Sequence, residues 1–306
     1  MTTNKTETVT AKHDHHIVSV VIPTIGRSTI NLCKNALERQ TRPPQEVIVF
    51  TDHERRGASW ARNEGLSRAR GDLIAFIDDD CQPHEDWLER LVKAIDKYDA
   101  AGAGGTYEET DPLLQNLRLL KIVPDTEQVD TIGLVGTGGN VMYKRAWLDT
   151  LAKLDGYVFN EAFKSFGSED WELALRLRLL EAKLIYVPSK VVHLRRVALF
   201  PYFRHQFNRG IGIALLFNFH RSLKKKLAAH KSLIWDDISA GKRVRWFSAF
   251  LYKAIGPFDV MNFERMRNFW LFWIGEKFQG AGFIWGMIHH GITIEKAQDK
   301  NQQGNR

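Results

Sequence analysis

Cysteine is scarce in this 306-residue chain. Only Cys33 and Cys81 are present, and they stand far apart with no metal-ligand spacing. Their scarcity excludes a disulfide scaffold and a cysteine-based zinc site, and it predicts reduced thiols in the cytoplasm. Long apolar runs are missing too. The most apolar late stretch, Phe269-Trp-Leu-Phe-Trp-Ile274, is cut off by Glu276 and Lys277. It falls short of the roughly 20 clean apolar residues that a spanning helix needs. The first sixteen residues are polar, without the apolar centre of a secretory signal. They predict a solvated arm, with His13, Asp14, His15 and His16 as part of it. No internal repeat is visible. No Gly-Lys-Ser/Thr follows the glycine-rich stretch 133–140, which excludes a phosphate loop of that spacing.

The chain has base in excess, with a net charge of +7, but the excess is unevenly placed. From Leu199 to the end there are 17 Lys and Arg against 7 Asp and Glu, a balance of +10; the rest has 26 bases and 29 acids. The same final third holds 20 of the 34 aromatic residues. A basic, aromatic-rich segment after a slightly acidic body points to a separate task, with anionic membrane and nucleic acid as the two candidate partners.

The body is organised around Asp72-Leu-Ile-Ala-Phe-Ile-Asp-Asp-Asp80. Five apolar residues running into three acids read as a strand buried on both faces. Its end delivers Asp78, Asp79 and Asp80 to the carboxyl edge of a sheet, where open α/β sheets bind ligands. Three adjacent carboxylates repel one another, and a hard divalent cation, Mg²⁺ or Mn²⁺, relieves that repulsion. Helix capping, with Pro83 in a first turn, explains one acid but not three.

Around this stretch strands and helices alternate. Ile17–Ile22 reads as a first buried strand stopped by Pro23, followed by the loop Pro-Thr-Ile-Gly-Arg27 and a helix from Ser28 or Thr29 to about Gln40. Glu46–Phe50 reads as a second buried strand ending at Thr51 and Asp52. Gly57–Ala69 and Pro83–Tyr98 read as helices. Alternation of this kind predicts an α/β, doubly wound, mostly parallel sheet flanked by helices. Residues 100–107 are small and extend towards a strand, and 108–130 reads as an excursion covering the site. In 133–140 four glycines let a backbone approach a ligand, although a plain glycine-rich turn fits as well. Ser168 is placed to cap a helix from Trp171 to about Ala182, with Glu169 and Asp170 in its first turn. Two short strands, Leu184–Val187 and Val191–Leu194, close the body. His193 there reads either as a core histidine or as a ligand.

From Phe200 the pattern becomes helical and amphipathic, with Phe203, Phe207, Ile211 and Leu215 on one side and a basic cluster at Arg221–Lys226. An interfacial helix on anionic lipid is the expectation, with a helical subdomain packed on the body as the competing one. The expected boundaries are a polar arm at 1–16, an α/β body at 17–198, a basic helical region at 199–294 and a polar tail at 295–306.

Taken together, Val20-Val-Ile-Pro-Thr24, the strand ending at Asp52, Arg56-Gly-Ala-Ser-Trp-Ala-Arg-Asn63, Phe76-Ile-Asp-Asp-Asp80, Gly138-Gly-Asn140 and Ser168-Glu-Asp-Trp171 occur in an order that resembles family-2 glycosyltransferases of the GT-A fold. The likeness covers roughly residues 17–196. It implies inverting transfer of a sugar from a nucleotide-sugar; with the basic aromatic final third beside it, the expectation is a UDP- or dTDP-linked donor, a glycan or lipid-linked acceptor, and a place in the cytoplasm at the membrane surface. It also implies roles. Pro23, Thr24 and Arg27 lie at the nucleotide, Asp52 reads the base, and Arg62 lies near base and ribose. Asp78, Asp79 and Asp80 form the Asp-x-Asp region, with Asp80, Asp78 and His193 as metal ligands. Asp170 is the catalytic base, with Glu169 beside it. Gly138, Gly139 and Asn140 are expected against the donor sugar. Trp171 is expected either on an acceptor ring or packed into the core. The sequence departs from the family pattern in having Thr51 where many members carry a second acid, and His53-Glu54-Arg55 where a Gly-Ser turn is common. Nucleotidyl transfer, and a dead fold kept for binding, are the competing readings. Nucleic acid is not an expected partner.

Overall fold

The computed structural model describes residues 16–112, 114–115, 125–130, 135, 138–164, 167–227, 274–275 and 277–289. The chain divides into two compact units, the first running to Arg196 apart from residues 116–120, the second from Val197.

The first unit is built on one eight-stranded sheet. Its strands are β1 (Val18–Thr24), β2 (Glu46–Thr51), β3 (Leu73–Phe76), β4 (Cys81–Pro83), β5 (Gly102–Glu109), β6 (Gln128–Val129), β7 (Val141–Lys144) and β8 (Leu184–His193). The order is β2-β1-β3-β7-β5-β8-β4, with β6 also on β8. β1, β2, β3, β5 and β8 share one direction; β7, β4 and β6 run against it. This is the mostly parallel α/β sheet expected from the sequence.

Period-two alternation sends neighbouring side chains to opposite faces. Val18, Val20 and Ile22 of β1 and Leu73, Ala75 and Ile77 of the β3 stretch join one core cluster; Val21, Ile74 and Phe76 join the other. Helices α1 (Ile30–Glu38) and α3 (Trp87–Lys97) cover the first face. Helices α2 (Ala58–Arg68), α4 (Arg145–Asp155) and α5 (Glu169–Leu179) cover the second. Covering both faces explains why β1 and β3 are buried without a break.

Several expectations are corrected. β2 is an edge strand, and Val47 and Val49 are 40% and 37% exposed; only Phe50 in it is fully buried. The stretch from Cys81 to Pro83 is a strand, because it pairs with Val191–His193 of β8, and the helix begins only at Trp87. The two short final strands are one, passing through Pro188. The register against β5 shifts there, with Gly104 opposite Tyr186 and Thr106 opposite Lys190. Such an irregularity absorbs a residue without an N–H. Ser168 does precede α5, but in a left-handed conformation and without a side-chain cap bond. Helix α4, unforeseen, buries Leu148 and Leu151.

In the second unit, α6 spans Leu199–Leu227 and residues 277–289 are helical. Ile211 and Leu215 are buried as the pattern predicts, and Phe203 stacks on Phe278 with centroids 5.0 Å apart. Gly210 lies against the Gln279 backbone and Gly282 against that of Phe207, so the two helices meet backbone to backbone. Among the described residues no helix is long and apolar enough to cross a membrane. The expectations for the polar arm before residue 16, for 228–273 and for the tail from 290 lie outside the described residues.

Candidate active site

The site forms at the carboxyl edge of β1, β2 and β3. The extended chain leaving β3 places Asp78, Asp79 and Asp80 there, and each acid meets a different partner. Thr24, the last residue of β1, donates its hydroxyl to Asp79 Oδ2 at 2.5 Å. Arg27 bridges Asp79 Oδ1 and Asp80 Oδ2, both at 2.9 Å. Asp79 is buried, and its bonds fasten the loop after β1 to the end of β3.

Asp78 turns the other way. Its Oδ1 accepts from Arg62 Nη2 at 2.9 Å, and Arg62 Nη1 donates to Glu169 Oε1 at 2.8 Å. Burial disfavours the Arg62 charge, but Asp78, Glu169 and Asp170 together hold it firmly protonated. A single guanidinium on α2 therefore ties the edge of β3 to the start of α5, with Glu169 lying 107 residues beyond Arg62 in the chain. Arg62 also explains Gly138, where a Cβ would come within 2.5 Å of its Nη2. At Gly139 a Cβ would meet Asp78 Oδ2 and the Tyr107 hydroxyl at the same distance. The two glycines let the backbone run directly over the acids.

Asp170 is the neighbour of that bridge. The Gly138 N–H donates to its Oδ2 and the Trp171 N–H to its Oδ1, both at 2.9 Å. Burial, then the charge of Glu169, push its carboxyl up to about 7, against the opposing pull of Arg62 and the two amides. A carboxyl poised near neutrality suits proton abstraction. The second oxygen of Glu169 is buried with no hydrogen-bond partner among the described residues.

On the far side of the trio stands His193, the last residue of β8. Its Nε2 lies 3.5 Å from Asp80 Oδ1 and its Nδ1 2.8 Å from Glu109 Oε2. Burial alone would lower the imidazole, but the bonds to Asp80 and Glu109 outweigh it and raise it to about 9. Burial works against the Asp80 charge, and the bond and charge of His193, with Arg27, reverse that and hold its carboxyl below the usual range. Donor atoms of Asp80, Cys81 and His193 lie within 4.8 Å of one another. Burial pushes the Cys81 thiol well above its ordinary value, so it stays protonated. A carboxylate and an imidazole are donors that could hold a divalent cation. Asp78, expected in that ligand set, is outside this cluster and paired with Arg62.

Other expected residues are placed as follows. Pro23 is buried in β1, in register with Phe50. Asp52 is buried, its N–H donates to Thr24 O at 2.8 Å, and its two carboxylate oxygens accept from the N–H groups of Arg56 and Gly57. It sits beside the site as the brace of the 52–57 loop. Asn140, expected against the donor, is wholly buried. Its amide accepts from Trp87 Nε1 at 2.7 Å and donates to the carbonyls of Thr106 and Ser189, so it is a strut between strands. Trp171 is 42% exposed, which removes core packing as its role. The glycine-rich residues 133, 134, 136 and 137 lie outside the described residues. Sequence reading missed Glu109 and Tyr107, whose hydroxyl accepts from the Gly139 N–H at 2.9 Å. Their signal was an acid ending a strand next to the His193 strand, and it was hidden because 108–130 has no period of its own.

A sheet edge bearing three acids, with a poised carboxylate on an adjoining helix, is an arrangement suited to group transfer, and comparison with known proteins gives the family. Residues 26–151 match the family model "Glycosyl transferase family 2", and this part of the chain is a family 2 glycosyltransferase domain. The chain is 32% identical over 123 residues to the glycosyltransferase AglE of Haloferax volcanii, covering 31% of this chain and 40% of that one. It is 23% identical over 236 residues to the glycosyltransferase GlyA of Streptococcus pneumoniae, covering 69% and 32%. The chain thus spans less than half the length of these curated relatives. Among solved structures, S. aureus TarS 1–349 in complex with UDP is similar at a TM-score of 0.46 and 16% identity, covering 90% of this chain and 91% of that one. GalNAc-T7 with UDP, GalNAc and Mn²⁺ is similar at 0.47 and 18%, covering 60% and 44%.

Proposed function

We propose that this chain transfers a sugar from a nucleotide-diphosphate sugar, UDP- or dTDP-linked, to a hydroxyl of a glycan or lipid-linked acceptor, with inversion at the anomeric carbon. The observation that carries this reading is the Asp78–Arg62–Glu169 bridge, which holds the acids of the β3 edge and the base-bearing start of α5 as one site. In the proposed step the acceptor oxygen bonds to the anomeric carbon while the bond from that carbon to the diphosphate oxygen breaks. The electron pair leaves on the diphosphate, and the hydroxyl proton passes to Asp170. No covalent enzyme intermediate is needed.

Asp80 and His193 are the residues that would hold a divalent ion. When bound, the ion supplies positive charge against the charge that develops on the leaving diphosphate. Arg27, paired with Asp79 and Asp80, is the only base of the β1 loop, which speaks against the triphosphate grip of a nucleotidyltransferase. We assign residues 17–198 to the transferase domain. The basic, aromatic-rich region 199–294 is assigned to an anionic membrane surface on the cytoplasmic side, in keeping with its charge balance and with exposed Leu199, Phe200, Ile284 and Ile288.

The test is release of nucleoside diphosphate from a panel of UDP- and dTDP-sugars. Turnover is expected with at least one donor, lost in EDTA and restored by Mn²⁺ or Mg²⁺, and lost in Asp80→Ala. Undiminished turnover by Asp80→Ala in EDTA removes the metal role, and pyrophosphate release from a nucleoside triphosphate with no sugar turnover replaces the whole reading.

A further inference from the structure

We infer that Glu109 is a positioning residue for the metal-binding histidine, an inference that rests on the metal-dependent reading of the site above. The last residue of β5 stands in register beside the last residue of β8, Glu109 opposite His193, and Cys81 of β4 is opposite His193 on the other side. In-register partners on neighbouring strands project to the same face. His193 is thus held between two carboxylates, Glu109 at the end of β5, 2.8 Å from Nδ1, and Asp80 in the turn just before β4, 3.5 Å from Nε2.

The geometry separates the two nitrogens by task. A carboxylate only accepts, so Nδ1 carries the proton and gives it to Glu109. Nε2 faces Asp80, to which it donates when protonated, and the metal position, where a bound ion would take that proton's place. Carboxylate–histidine–metal arrangements of this kind fix the ring orientation and raise the basicity of the ligating nitrogen. The surrounding fold holds the ring as well. Tyr107 lies against it with centroids 5.0 Å apart, and the His193 carbonyl accepts from both the N–H and the hydroxyl of Thr110. The Leu194 N–H is bonded to the Asp80 carbonyl at 2.8 Å. Glu109 is itself buried, with its side chain 7% exposed. A carboxylate is costly to bury, and its bond to the imidazole offsets that cost.

The experiment measures Mn²⁺ binding to the full chain by electron paramagnetic resonance, with nitrogen coupling to the bound ion as a second readout. Wild type, Glu109→Ala, Glu109→Gln, Asp80→Ala and His193→Ala are compared. Wild type is expected to bind Mn²⁺ with imidazole nitrogen coupling, which His193→Ala abolishes. Glu109→Ala is expected to weaken binding about 10- to 100-fold with altered nitrogen coupling. Glu109→Gln keeps the shape and an acceptor oxygen, so it recovers part of the affinity, and it serves as the folded comparison should the alanine variant lose its fold. If both Glu109 variants fold and bind Mn²⁺ like wild type while Asp80→Ala does not, this inference is overturned and the metal reading stands. If wild type takes up no Mn²⁺, the metal reading falls, and this inference with it.

Discussion

Asp170 is held where its charge is costly. Two amide N–H groups and Arg62 favour the carboxylate, yet burial and Glu169 win and leave it near 7 rather than at 3.8. A consequence for stability follows with a definite sign. The folded chain binds this proton more tightly than the unfolded one, so the stability it contributes is full below about 4 and is lost as pH rises through about 7. The difference in Tm between Asp170→Asn and wild type is therefore expected to move in the variant's favour from pH 4 to pH 8. Differential scanning calorimetry across that range checks it, and a difference independent of pH contradicts the assigned burial. Asn140 shows the opposite case, a residue placed in the site by motif alone. With Trp87, Thr106 and Ser189 as partners it is expected to matter for folding. Asn140→Ala leaves the Trp87 N–H unpaired in the core and is expected to cost about 1–3 kcal/mol in urea unfolding.

Helix α2 carries one residue that binds elements together. Removing Arg62 leaves Glu169 buried and unpaired, a loss on the order of 3–5 kcal/mol. Arg62→Leu with Glu169→Leu is expected to be less damaging than Arg62→Leu alone, and a double-mutant cycle in urea measures the difference. The elements also show what the sequence reveals. β1 and β3 are legible because both faces of each are covered, so largely apolar runs, broken only by Ser19 in β1, stand out from the chain around them. β2 looks the same in sequence, but its place at the sheet edge is a property of strand order, which no local pattern carries. β8 appears as two strands because Pro188 breaks the run, and only pairing with β5 shows that it continues. The partnership of Glu109 and His193 spans 84 residues and rests on strand order in the same way. Asp80, Arg62 and Asp170 were expected at one site only because motif order stood in for that missing topology.

At the scale of the whole molecule, the acidic transferase body and the basic final third divide the charge between them. If the region from Leu199 serves an anionic surface, binding of the full chain to vesicles containing phosphatidylserine or phosphatidylglycerol falls steeply as salt rises. Replacing Arg221, Lys224, Lys225 and Lys226 by alanine is expected to weaken it on the order of tenfold or more. Flotation across a salt series reads both, and equal recovery with neutral vesicles removes the assignment. The central claim, however, concerns the proton acceptor at the start of α5. The most direct measurement is turnover of the accepted nucleotide-sugar against pH in wild type and Asp170→Asn. The account predicts a wild-type rate that climbs through about pH 7 to a plateau, and a variant slower by about 10²- to 10⁴-fold without that rise. A variant that turns over donor at the wild-type rate, with the same dependence on pH, contradicts it.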